Sequence, residues 1–184
     1  MKPAFTPAIK QLVLGGIRSG KSQFAELLVQ QQAQQLGLSV TYIATATALD
    51  DEMAQRIKTH RQRRPHDWRL TEEPLYLSAA LEQSCQADRC VLVDCLSLWQ
   101  TNLLLKNNAQ LHQQETESLL QALPQLPGAI VFVSTESGLG LVPDNVLARQ
   151  YCDTMGKLHQ QLAALCDEVV LTVAGLPTYL KRAI

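Results

Sequence analysis

An α/β domain built on a mostly parallel sheet flanked by helices is the fold class this sequence predicts, and three observations predict it. The stretch Gly15-Gly16-Ile17-Arg18-Ser19-Gly20-Lys21-Ser22 fits G-x-x-x-x-G-K-[ST] at every fixed position, the signature of a phosphate-binding P-loop. It follows an apolar run, Leu12-Val13-Leu14, and leads into Gln23-Phe24-Ala25-Glu26-Leu27-Leu28, which has helical character. Five short β-rich runs, at 11–14, 40–45, 90–94, 129–134 and 168–173, recur between helical stretches and are almost continuous in apolar residues, as strands covered on both faces are. Alternation of that kind places ligands at the carboxyl ends of parallel strands.

The 184 residues are 46% hydrophobic and contain no Pro/Gly/Ser-rich linker, so one domain is expected over 1–184, with 1–10 as a flexible N-terminus. Sixteen basic against seventeen acidic residues give a net charge of −1, which supplies no reason to expect nucleic acid as a partner. Five cysteines (Cys85, Cys90, Cys95, Cys152, Cys166) form no C-x-x-C pair and mostly sit among apolar residues, the usage of a reducing compartment rather than of a zinc site. The N-terminus carries two prolines and no apolar leader core, and no later run approaches 18 apolar residues; a cytoplasmic protein without membrane insertion is expected.

Glycines in the P-loop let successive backbone N–H groups turn inward around phosphate oxygens. Lys21 then reaches the β- and γ-phosphates, the Ser22 hydroxyl is a Mg²⁺ ligand, and the following helix adds the positive end of its dipole. That helix is expected to run to about Leu36 and to close at Gly37. The block from Asp50 to Pro65 opens with acidic and closes with basic residues, which suits a helix dipole, and Met53, Ile57, His60 and Arg64 share a face. Two readings are open for it. One is a surface helix whose apolar stripe docks on the sheet, with His60 packed in the core. In the other His60 is a nucleophile towards phosphorus, kept neutral by neighbouring guanidinium groups that also bind the phosphate it attacks.

Glu72 and Glu73 follow a turn at Trp68, and Val91-Leu92-Val93-Asp94 is an apolar strand ending in a carboxylate, the arrangement by which P-loop proteins hold Mg²⁺. The segment 98–123 is helical but polar in its middle, so two helices or a projecting one are expected. Glu136 comes just after the fourth strand, beside a glycine-containing loop, as a rim carboxylate or a turn residue. Leu147, Tyr151, Met155, Leu158, Leu162 and Leu165 repeat at spacings of four and three, the stripe of a long amphipathic helix.

Together these blocks resemble the bifunctional adenosylcobinamide kinase / adenosylcobinamide-phosphate guanylyltransferase family. The resemblance rests on the G-G-x-R-S-G-K-S loop, Tyr42-Ile43-Ala44-Thr45-Ala46, Asp51-Glu52-Met53 with Arg56-Ile57 and His60-Arg61 before Arg64-Pro65, and Trp68 with Glu72-Glu73-Pro74. It continues through Leu92-Val93-Asp94-Cys95-Leu96, Thr101-Asn102-Leu103-Leu104, and Glu136 with Gly138-x-Gly140-x-Val142-Pro143. One departure is the Thr135-Glu136-Ser137-Gly138 stretch where the family commonly has Asn-Glu-Val-Gly, which removes the Asn side chain and keeps Glu136.

The resemblance implies a RecA-like P-loop fold, a homotrimer, and two reactions with Mg²⁺ and GTP or ATP: phosphorylation of the aminopropanol hydroxyl of adenosylcobinamide, then transfer of GMP from GTP to that phosphate. It makes His60 the residue that carries GMP. It also carries over Ala44, Thr45, Ala46, Arg61, Gln62, Arg63, Arg64, Glu72 and Asp94 as nucleotide contacts, beside the P-loop residues 15–22. Two other classes stay open at this point: a P-loop kinase for a small molecule without nucleotidyl transfer, and a nucleotide-binding switch.

Overall fold

Successive residues of a strand point to opposite sides of a sheet, and in the central strands both sets are apolar. A computed structural model describes residues 9–48, 50–63 and 65–182, without the side chains of Arg56, His60, Gln62 and Arg63. Its elements are β1 (Lys10–Gly15), α1 (Lys21–Leu36), β2 (Ser39–Ala44), α2 (Asp51–Arg63), β3 (Arg69–Glu72), α3 (Leu77–Ser84) and β4 (Arg89–Asp94), then α4 (Leu96–Leu105), α5 (Ala109–Ala122), β5 (Ala129–Thr135), α6 (Val146–Leu165), β6 (Glu168–Val173) and β7 (Leu176–Lys181). The sheet has the order β3-β2-β4-β5-β1-β6-β7, parallel from β3 to β6, with β7 antiparallel to β6. No helix among the described residues is long and apolar enough to cross a membrane.

Leu12, Leu14, Val91, Val93, Ile130 and Phe132 face one layer, where α3, α4, α5 and α6 bring Leu81, Trp99, Leu119 and Leu158 against them. Val13, Leu92, Val131 and Val133 face the other, covered by Ala25, Val29 and Ala33 of α1, with Trp68 beside them. Fully burying each large apolar side chain contributes roughly 1.5–3 kcal/mol, so these two layers fix the sheet and with it the carboxyl edge. At the opposite edge Lys10 is buried in β1, its Nζ donating to Leu126 O at 2.7 Å and Gly128 O at 3.3 Å. Burial lowers the Lys10 pKa from its ordinary value. The expectation of a flexible 1–10 is therefore corrected at Lys10, which is ordered into the sheet; residues 1–8 lie outside the described ones.

Two strands had no apolar run to announce them, β3 and β7, and both are edges. β3 is exposed at Arg69, Leu70 and Glu72, in keeping with the charged residues that blunt sheet edges. β7 carries Pro177, tolerated because its missing N–H faces no further strand. It is joined to β6 by Ala174 and Gly175, both at positive φ (52° and 79°), as a tight two-residue hairpin loop demands. The polar middle of 98–123 is a break: α4 ends at Leu105, and α5 starts with the Asn108 side chain accepting from Leu111 N. The α1 terminus falls where expected, with Gly37 in the left-handed conformation. On α6 the middle of the stripe is buried, whereas Leu147 and Leu165 are exposed at its ends.

Burial gives a direct test of this layering. Phe132→Ala should cost about 3–5 kcal/mol in urea unfolding, because it empties a closed site, whereas Leu147→Ala, on an exposed turn, should change stability by less than about 0.5 kcal/mol.

Candidate active site

The P-loop lies between the end of β1 and the start of α1, and its shape depends on two glycines. At Gly15 a Cβ would stand 2.4 Å from Ser19 Oγ and 2.7 Å from Thr172 O, so only hydrogen fits between the loop and the backbone of β6. Gly20 has φ 91°, which side chains rarely adopt, and packs against Gly175, whose N–H donates to Ser19 O at 2.9 Å. The β6–β7 hairpin thus buttresses the loop from behind. Lys21 Nζ donates to Gly16 O at 3.2 Å and so lies back over the loop, while Ile17 and Arg18 are exposed on its crest. Ser19 Oγ is buried and makes no hydrogen bond among the described residues, and Ser22 stands in the first turn of α1.

Asp94 ends β4, with Tyr42 Oη donating to its Oδ2 at 3.0 Å. The Asp94–Cys95 peptide is cis, and the turn it makes is clamped by Thr45, whose Oγ1 donates to Cys95 O at 2.7 Å and accepts from Cys95 N at 2.9 Å. The Thr45 hydroxyl, expected at the nucleotide, is therefore buried and engaged in holding the turn. Burial, and next the Asp94 charge, push the Cys95 thiol up to about 11, and Lys21 acts in the opposite direction, which brings the lysine within electrostatic reach of this turn. Asn102 Nδ2 donates to Thr45 O and Pro74 O, tying α4 to the same edge. Ala44 ends β2, its carbonyl accepting from Glu73 N, and Ala46 is half-buried in the loop beyond.

Helix α2 is the other charged element. Asp50 Oδ1 caps it by accepting from Met53 N at 2.7 Å, and Asp51 and Glu52 occupy its first turn. None of its described side chains is buried; Met53 and Ile57 are half-buried and the others exposed. Of the stripe expected to dock on the sheet, Met53 and Ile57 are thus covered only in part. Arg61 makes an ion pair with Glu72 on β3, which brings these two expected contacts together at the carboxyl edge. The backbone of His60, Gln62 and Arg63 is helical, but their side chains, and Arg64 altogether, lie outside the described residues.

The two residues expected at a metal ion, Ser22 and Asp94, offer a hydroxyl and a carboxylate, and no group of three or more His, Cys, Asp or Glu side chains that could hold one occurs among the described residues. That fits Mg²⁺, which takes few protein oxygens and is completed by phosphates and water. Sequence reasoning missed the partner of Glu136: His159 of α6, whose Nδ1 is 3.3 Å from Glu136 Oε2. The available signal was a polar residue in an apolar stripe, since Met155, His159 and Leu162 share one buried face.

Two solved structures share the fold. One is an ATPase domain that aligns with a TM-score of 0.51 at 14% identity, covering 89% of this chain and 69% of that one. The other, a KaiC-like protein from Pyrococcus horikoshii, aligns with a TM-score of 0.51 at 10% identity, covering 91% and 72%. Likeness in sequence is far closer to the bifunctional adenosylcobalamin biosynthesis protein CobP of Pseudomonas aeruginosa, 54% identical over 173 residues, 94% of this chain and 98% of that protein. The bifunctional adenosylcobalamin biosynthesis protein CobU of Escherichia coli is 39% identical over 92% of this chain and 98% of its own length. The family model described as cobinamide kinase / cobinamide phosphate guanyltransferase matches residues 11–180, and the chain belongs to that family.

Proposed function

We propose that this chain is a bifunctional transferase of cobalamin biosynthesis, which phosphorylates adenosylcobinamide with a nucleoside triphosphate and then moves GMP from GTP onto the resulting phosphate. The observation that carries this reading is the joint placement, at one sheet edge, of the P-loop, Asp94, and an α2 helix tied to that edge through Arg61 and Glu72. Membership of the family, and near-full coverage of bifunctional relatives, support it.

Each group has a task in the proposal. Backbone N–H groups of residues 15–20 and the α1 N-terminus hold the phosphates, and Lys21 neutralises charge that develops on the transferred group. Ser22 and Asp94 would hold Mg²⁺, which supplies charge stabilisation to the phosphate oxygens. Kinase chemistry rests mainly on positioning and electrostatics around an in-line transfer and needs no covalent enzyme intermediate. Guanylyl transfer adds a covalent stage: a neutral His60 nitrogen attacks the α-phosphorus of GTP, the bond to the pyrophosphate oxygen breaks, and the cobinamide phosphate then displaces the imidazole. Arg61 to Arg64 and Glu72 are the nucleotide contacts around that stage. By family likeness the working unit is a homotrimer, and five free cysteines support a reducing, cytoplasmic location.

Three outcomes are expected. Lys21→Ala should slow both reactions by about 10²–10³-fold in steady-state assays of folded protein, the scale of losing one positioned donor; wild-type rates in both would remove the P-loop from the chemistry. Asp94→Asn should raise the Mg²⁺ concentration that gives half-maximal rate, because a hard cation prefers an ionised oxygen, and an unchanged titration would make Asp94 structural. His60→Ala should abolish acid-labile, base-stable labelling by α-labelled GTP, together with guanylyl transfer, while much of the kinase rate remains. Labelling at the normal rate would exclude His60 as the nucleophile.

A further inference from the structure

The end of β5 lies between the P-loop and Asp94, because β5 is the strand between β1 and β4 and pairs Thr135 with Gly15 and Val133 with Asp94. The next residue, Glu136, donates its N–H to Gly15 O at 3.0 Å, so its Cα is fixed against the entry to the phosphate loop. Its carboxylate has two polar neighbours. Oε1 accepts from Gly138 N at 2.6 Å, and Oε2 faces His159 Nδ1 at 3.3 Å. His159 is buried, and its Nε2 is 2.7 Å from Ser134 Oγ, which is itself 3.4 Å from Ser97 Oγ, the acceptor for Thr135 N at 2.6 Å.

One proton arrangement places a hydrogen between each of these pairs. In it Ser97, which accepts from the Thr135 amide, donates its hydroxyl proton to Ser134; Ser134 donates to His159 Nε2; and the imidazole proton is on Nδ1, facing the carboxylate. Burial lowers the pKa of His159 from its ordinary value, against the pull of Glu136, which suits a neutral ring with this tautomer. With this tautomer the buried Nδ1–H, which has no hydrogen-bond partner among the described residues, lies 3.3 Å from Glu136 Oε2, and its attraction orients the carboxylate without neutralising it. The Glu136 side chain keeps 19% of its surface exposed, at the carboxyl edge of the sheet.

We propose that Glu136 is the base that receives the proton of the acceptor hydroxyl in the kinase reaction, and that His159 is the positioning residue that aims it. In that step the acceptor O–H bond breaks and its proton moves to a Glu136 oxygen. The acceptor oxygen bonds to the γ-phosphorus, and the bond from that phosphorus to the β–γ bridging oxygen breaks, releasing nucleoside diphosphate. The proton leaves to water through the exposed part of the side chain. This assignment rests on the P-loop being the site of phosphoryl transfer.

The test uses the full chain with adenosylcobinamide and ATP for the kinase rate, and with adenosylcobinamide phosphate and GTP for guanylyl transfer. Glu136→Gln should lower the kinase kcat by about 100-fold or more, the usual scale for a lost general base. The nucleotide KM should move by less than about threefold, since only a transition-state interaction is removed, and the ratio of kinase to guanylyl transfer rate should fall with kcat. His159→Leu should lower kcat by about tenfold, as loss of positioning does, and His159→Asn, which keeps a donor near the Nδ1 position, should recover most of it. An unchanged kcat in Glu136→Gln, an equal loss of both reactions, or a raised Mg²⁺ requirement like that of Asp94→Asn would overturn the role of Glu136. Equal rates in the two His159 variants would overturn the positioning role. If Lys21→Ala keeps its kinase rate, the P-loop reading fails instead, whatever Glu136→Gln does.

Discussion

The site depends on one strand being in the middle. β5 separates the strand that leads into the P-loop from the strand that ends in Asp94, so the two are two strand spacings apart, about 10 Å. No single side chain bridges that gap. In the proposed function a triphosphate with a hydrated Mg²⁺ spans it, which lets a loop of backbone N–H groups on one strand and a lone carboxylate on another act together. The separation is held by burial on both faces, since Val131 and Val133 face α1 while Ile130 and Phe132 face the other helices. Loss of either layer would alter the spacing before it altered any group at the edge.

Legibility in the sequence follows the range of the interactions. The central strands could be read because two-sided burial writes apolar residues at consecutive positions, and the P-loop because its geometry is local to eight residues. Gly37 and the break before Asn108 were readable for the same reason, each being a helix terminus that is satisfied within a few residues. β3 and β7 were not, since an edge strand packs on less and the sequence there is charged or carries proline. At the site, Glu136 stood out by its place after a strand, but its partner is 23 positions away on α6. Only the packing of α6 beside the end of β5 brings the two together. Thr45 has a role that its motif does not announce: its hydroxyl is engaged by the Cys95 backbone, 50 positions away.

Helix α2 differs from the other helices in what holds it. Its charges are arranged for its own dipole, with an Asp50 cap and acidic first turn, so it can form without a docked apolar face. The pair between Arg61 and Glu72 is half exposed on both sides, and an ion pair in that setting contributes at most about 1 kcal/mol. The other described side chains of α2 are exposed or half-buried. In the proposed function the two chemistries address different phosphorus atoms of a bound nucleotide, and carrying His60 on α2 leaves the kinase geometry to the strands and the P-loop.

The cysteines have a practical corollary. Burial pushes Cys85, Cys90 and Cys166 up to about 12, and Cys95 up to about 11, so near neutrality these thiols are shielded and almost wholly protonated. Cys152 is the partly exposed one, with its Sγ 3.7 Å from the carbonyl oxygen of Ser137, the residue that follows Glu136. An alkylating fluorophore or spin label would therefore attach at Cys152 in the native sequence, with no cysteine removed, and would report from beside the loop that follows β5.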